Sequence, residues 1–194
     1  NPAYIDTETG AISVTEAWVP LLTCTPTGTK LCQLVSVNDG STLDWSQYMD
    51  LVVIAAAQSV GTVYDGDGLL GYFNNDTGTN YDVQFFAGNG SSLYKSRQTT
   101  AYMGLGNSLS TRVDSAISTS LIWHIFDINT GKYKTSISQW AATRDSTATW
   151  TVGLYSHTWK KQAAITEIDF NMENANYGTG CMISLFGILP GMVS

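Results

Sequence analysis

An all-β fold, a jelly-roll or β-sandwich of two antiparallel sheets, is what this sequence predicts. Three observations carry that reading. Short runs alternate apolar and polar residues with a period of two, Gly/Asn/Asp/Ser clusters break them, and no stretch shows sustained helical periodicity. A chain of 194 residues suits one such domain, and nothing in it marks a repeat, a linker or a shift of composition. Residues 1–17 read as an N-terminal arm or edge strand, 18–190 as a single domain and 191–194 as a tail.

The strands follow in order. Ile12–Val19, Leu31–Val37, Leu51–Gln58, Leu69–Phe73 and Tyr81–Phe86 come first, then Arg112–Ile117, Leu121–Ile128 and Lys132–Gln139. Trp150, Val152 and Leu154 alternate with Thr149, Thr151 and Gly153. Ala164, Thr166, Ile168, Phe170 and Met172 share one face, opposite Glu167 and Asp169. Met182–Ile188 closes the series as a central, buried strand. Leu121–Ile128 is apolar on both faces, as expected of a central strand covered on both sides. The turns Asn38-Asp-Gly40, Asp65-Gly-Asp-Gly68, Asn74–Gly78, Gly88–Gly90, Asn129–Gly131 and Asn174–Gly180 use residues that tolerate positive φ. One helical turn is expected around Asp44–Met49, with Asp44 as its N-cap. Between Phe86 and Arg112 lies a Ser/Gly/Tyr/Gln-rich insertion, either a strand-bearing loop or an exposed arm.

Composition narrows function. Charged residues make up 13% of the chain, against about 25% in an ordinary soluble domain. Ser, Thr, Asn, Gly and Tyr must therefore cover much of the surface, which suits protein or sugar contacts. The net charge is −7, and the basic residues group only as Lys95/Arg97, Lys132/Lys134 and Lys160/Lys161. Binding to a phosphate backbone needs clustered cations, so neither nucleic acid nor an anionic membrane is an expected partner. The longest apolar run, Leu51 to Ala57, falls far short of the roughly 18 residues of a membrane span. The sequence starts at Asn1, which reads as a processed or trimmed chain, with no signal-peptide pattern at its start.

The chemistry-bearing residues are few. Cys24 and Cys32 lie symmetrically about Gly28 and would face each other if the flanking strands paired. A disulfide between them stays open as the alternative, but directly opposed positions strain one, so free thiols are the expectation. Two thiols without a neighbouring His make a poor zinc site. Asp65 and Asp67, with Asp76 and Asp82 nearby, could furnish oxygens to calcium, but the bidentate Glu of a calcium-binding loop is missing, and backbone turns are the plainer reading. His124, inside an apolar strand, reads as a hydrogen-bonded core residue, and His157 as part of a surface turn between two strands. No nucleophile elbow, phosphate-binding loop or pair of carboxylates flanking a cleft is legible. Trp18, Trp45, Tyr64, Tyr72, Trp140 and Trp159 could build a sugar-stacking platform, though core packing accounts for large aromatics as well. No catalytic, cofactor or metal residue is therefore assigned, and the chain is expected not to be an enzyme.

Three stretches, taken in order, carry a resemblance. Asp44-Trp-Ser-Gln-Tyr-Met-Asp-Leu-Val-Val53 joins a Tyr to an apolar strand. Gly71-Tyr-Phe-Asn-Asn-Asp-Thr-Gly-Thr-Asn-Tyr81 is an Asn-rich turn closed by Tyr. Ala164-Ile-Thr-Glu-Ile-Asp-Phe170 is followed by Cys181-Met-Ile-Ser-Leu-Phe-Gly-Ile188. Their order resembles that of tailed-bacteriophage virion structural proteins of the jelly-roll capsid decoration (cement) type. The resemblance implies a non-enzymatic homotrimer on the capsid exterior that binds the major capsid protein and stabilises the shell. The alternative is a receptor- or carbohydrate-binding domain of a tail fibre or secreted protein. It also implies architectural roles: Gly78 and Gly187 for special backbone angles, Tyr81 and Phe186 as packing anchors.

Overall fold

The structure, a computed structural model, describes residues 3–5, 12–14, 18–60, 67–109, 118–143 and 150–189. The expected strand Arg112–Ile117, Tyr64 and Asp65 lie outside them. Among the described residues there are sixteen strands and one short 3-10 helix. Two antiparallel sheets form the sandwich.

The larger sheet holds eight strands. From one edge to the other they are β3 (Trp18–Cys24), β16 (Met182–Ile188), β5 (Asp50–Ala57), β11 (Thr119–Phe126), β12 (Lys134–Thr143), β13 (Trp150–Trp159), β8 (Tyr81–Gly88) and β9 (Leu93–Thr100). The smaller holds four: β10 (Met103–Leu109), β7 (Asp67–Phe73), β14 (Glu167–Met172) and β4 (Leu31–Val35). Two short pairs complete the set, β1 (Ala3–Ile5) with β2 (Ile12–Val14), and β6 (Ser59–Val60) with β15 (Asn176–Tyr177). The insertion after Phe86 is strand-bearing, since β9 and β10 both lie within it.

Alternation builds the core. On the larger sheet Val53, Leu121, Trp123, Ile125, Tyr155, Trp159, Ile183 and Leu185 point inward and are buried. They meet Leu69, Phe73, Met103, Leu105, Ile168 and Phe170 of the smaller sheet. Phe73 stacks on Trp123 at 5.3 Å and Phe170 meets the same indole edge-on at 5.9 Å, the offset and T-shaped geometries aromatic rings favour. The expected helical turn is present at Trp45–Gln47, where the Asp44 carboxylate accepts from the Ser46 N–H at 3.0 Å.

Several expectations are corrected. β16 lies second from the edge, between β3 and β5, and only its inward face is buried. β11 is central, yet only its inner face is covered, and Ile122 on the outer face is exposed. His157 is no turn residue: β13 runs unbroken to Trp159, and the inward alternation of Tyr155, His157 and Trp159 buries it. Gly78 and Gly187 do not hold positive φ, which among the described residues falls instead at Asn74, Asn75 and Asp127 and at four other glycines. Gly187 is required for space, because a Cβ there would enter the Tyr48 ring. At Gly78 a Cβ would come within 2.8 Å of the Asn80 amide.

Cys24 and Cys32 form a disulfide, against the expectation of free thiols. The reason is topological. β3 and β4 are not a hairpin; Gly28, at φ 66°, carries the chain from the edge of one sheet to the edge of the other. The bridge therefore joins two layers, and its Cα separation of 6.4 Å falls within the usual range for disulfides. Cys181 is free and buried.

Candidate functional site

The residues singled out for chemistry mostly hold the fold together. Asp67 is buried and accepts from the N–H groups of Gly68, Asn174 and Ala175 at 3.0, 2.9 and 2.8 Å. Asp76 accepts from the Gly78 N–H, the Asn80 amide and the Trp159 indole N–H, the last at 2.7 Å. Those donors outweigh desolvation, the largest single influence, and hold its pKa below the ordinary value. Asp82 accepts from Thr99 and pairs with Lys160 at 2.9 Å. Asp67, Asp76 and Asp82 thus have separate structural partners, Asp65 lies outside the described residues, and among the described residues no three His, Cys, Asp or Glu side chains gather as a metal site.

The histidines exchange their expected places. His124 is half-exposed on the outer face, 2.9 Å from Asp50 and stacked on Phe126 at 4.1 Å. His157 lies in the core, where its Nε2 is 2.8 Å from the Gly104 carbonyl and its Nδ1 3.1 Å from Ser136 Oγ. The carbonyl can only accept, so Nε2 carries the proton and Nδ1 accepts from the Ser136 hydroxyl. Burial presses the His157 pKa down to about 4. Ser136 and His157 form a Ser–His pair, but each is about 1% exposed, so substrate has no route to the hydroxyl. Trp45, Trp140 and Trp159 are buried, Tyr72 is half-buried and Trp18 is exposed beside Phe186; among the described residues no stacking platform results. Tyr81 is the anchor expected of it, buried with its hydroxyl donating to the Asp76 carbonyl. Phe186 is only half-buried, on the outer face. Lys134 is buried, its ammonium donating to the carbonyls of Thr130 and Lys132; desolvation lowers its pKa.

Glu167 and Asp169, two apart on β14, share the Gln33 amide at 2.6 and 3.0 Å. Burial raises the pKa of both. They stand side by side on one strand, which is not the arrangement of two carboxyls across a cleft that glycoside hydrolysis uses.

What remains is a surface. The register of the larger sheet lines up its outward side chains in rows. The row nearest one end reads Met182, Ala56, Ser120, Ala141, Val152 and Gly88. The next reads Ser184, Ile54, Ile122, Gln139, Leu154 and Phe86. The two border a trough of about 900 Å³, floored almost wholly by apolar groups. Val152 is 60% exposed, Phe86 58% and Ile122 50%. The following rows are mixed: His124, Ser156 and Gln84 stand beside Phe186 and Ile137, and then Thr135, Thr158 and Asp82 beside Phe126. The signal was present in the sequence as the two-sided apolar character of Leu121–Ile128, which reads equally as a strand buried on both sides.

Neither a family model, a curated protein nor a solved structure matches this chain.

Proposed function

We propose that this chain is a non-enzymatic structural protein of a phage virion, a capsid decoration protein that seats the outer face of its eight-stranded sheet on the shell. The observation that carries the reading is the bare apolar half of that face. Monomeric proteins seldom leave an apolar patch beyond a few hundred Å² in water, and larger ones mark interaction sites. A trough lined by Ile54, Ile122, Leu154, Val152 and Phe86 fits an apolar ridge of a partner protein, with the hydroxyl, amide and imidazole groups of the adjoining mixed rows available to the wetter rim typical of such contacts.

The buried carboxylates and His157 support the same reading, since their hydrogen bonds are taken up by architecture. Repetition on a symmetric shell lets modest contacts act together. The alternative, a receptor- or carbohydrate-binding domain, has less support, because three tryptophans that could stack on sugar are buried.

Quantitative mass spectrometry of purified particles tests the assignment. Hundreds of copies per particle are expected, with binding to shells lost in Ile122→Arg and Val152→Arg. A few copies, or shell binding unaffected by both substitutions, would refute it. Assays against polysaccharide, ester, peptide and nucleotide substrates should find no turnover.

A further inference from the structure

Sheet edges invite pairing with other chains, and proteins ordinarily blunt them with proline, bulges or shortness. Three of the four edges here are blunted. β3 carries Pro20, and its ladder with β16 is broken between Leu185 and Phe186. β10 has two register breaks. β4 spans five residues and is tied by the disulfide. The fourth, β9, spans eight residues without proline and keeps an unbroken register along β8. It is exposed from Leu93 to Thr99 on both faces.

Its charge names the chemistry that fits beside it. Lys95 and Arg97 lie two apart and so project from the same face. Among the described residues neither makes an ion pair, and the nearby Asp82 is occupied by Lys160 and Thr99. In a chain of net charge −7, this is a positive pair on an open strand edge, answered only by the longer-range pull between Arg97 and Asp82. Two β9 edges pairing with each other would bring like charges together. The sequence holds a complement at matching spacing: Asp6 and Glu8. Laid antiparallel along β9, that segment sets Asp6 opposite Arg97 and Glu8 opposite Lys95.

We propose that β9 receives the N-terminal segment around Asp6–Glu8 of a second copy of this chain as an added strand. Its own segment would have to cross the full width of the sheet at nearly full extension. β3, which begins at Trp18, is the opposite edge of the same sheet, so a strand beyond β9 lies about eight spacings of 4.8 Å away, nearly 40 Å. The ten residues from Glu8 to Trp18 span at most about 35 Å when fully extended. The exchange costs little, because β1 and β2 form a ladder of three residue pairs that joins neither main sheet. Such an isolated hairpin is marginal in water. Each copy both donates and accepts, a head-to-tail contact that forms a ring where the rotation closes.

Charge reversal with rescue tests this by analytical ultracentrifugation. The intact chain should associate. Lys95→Glu with Arg97→Glu, and separately Asp6→Lys with Glu8→Lys, should each weaken association at least tenfold without moving the melting temperature. Combining all four should restore it, and deleting residues 1–11 should give a folded monomer. An intact chain that stays monomeric, reversals that leave assembly unchanged, or a fourfold variant that fails to recover would each overturn the proposal. Because shell binding is read separately through Ile122 and Val152, this contact can fail while the decoration reading stands.

Discussion

The two faces of the eight-stranded sheet are built from the same strands and meet different fates. Along β11, Leu121, Trp123 and Ile125 are closed off by the smaller sheet, whereas Ile122 points into the open. Residue chemistry does not separate the faces, since both are rich in apolar groups. The difference lies in what the chain supplies to cover them: a layer half as wide, and on one side only. Inward residues therefore set stability, and outward ones are available for contact.

The severest test of that division is removal of β16. Ending the chain before Cys181 deletes Ile183 and Leu185 from the core and leaves β3 without a ladder partner. Each large apolar side chain contributes about 1.5–3 kcal/mol by burial, in a fold whose total margin is about 5–15 kcal/mol. Circular dichroism should show no cooperative unfolding transition; a folded truncation would mean that the inner face tolerates a gap.

A direct contrast comes from neighbouring residues. Trp123→Ala should cost about 3–5 kcal/mol, measured by urea unfolding, whereas Ile122→Ser should stay within about 1 kcal/mol. Similar losses at both positions would erase the distinction between the faces.

His157 probes the inner face by pH. Its folded pKa of about 4 lies below the ordinary 6.5, so in this window the unfolded chain binds the proton and the folded one does not. Stability contributed by the neutral imidazole is therefore full above about pH 6.5, falls as pH drops, and levels off below about pH 4. The whole span corresponds to about 3 kcal/mol. Glu167 and Asp169, with raised pKa values, shift stability the other way on acidification. Subtracting the pH profile of His157→Gln removes their part, and a difference profile flat from pH 7 to 4 would contradict the buried, neutral histidine.

A smaller effect is expected of the disulfide. A native bridge typically contributes about 2–4 kcal/mol, less for short loops, and this one closes a separation of eight residues. Reduction should lower the melting temperature by several degrees and accelerate hydrogen exchange first in β3 and β4. An unchanged melting temperature would show that the two layers need no tie at that edge.

Much of the fold was legible because period-two alternation reports directly on strands, and Asp44 and the turns at Gly40, Gly90 and Gly180 behave as their local chemistry dictates, whereas Asp67 and Gly68, expected in a turn, open strand β7. The errors have physical causes. Tyr155-Ser-His-Thr-Trp159 looks like a polar turn, yet its odd positions continue the alternation begun at Thr151, a signal that would have placed His157 inside. For the cysteines, spacing about Gly28 suggests a hairpin, while the chain uses that turn to change layers. β9 escaped notice because a strand exposed on both sides leaves no alternation to see. The outer face shows the deeper limit: an apolar residue in a sequence declares that it avoids water, not whether its own chain or another provides the cover.

The pairing of Trp18 with Ile188 has a mechanical consequence. Tension applied at those two residues opens the β3–β16 ladder from one end, one residue pair at a time, a zipper geometry that yields at lower force than sliding strands past each other. The opening proceeds toward Cys24. There the covalent link to Cys32 passes the load to β4 in the other layer, so the tear that starts at an edge is arrested seven residues in.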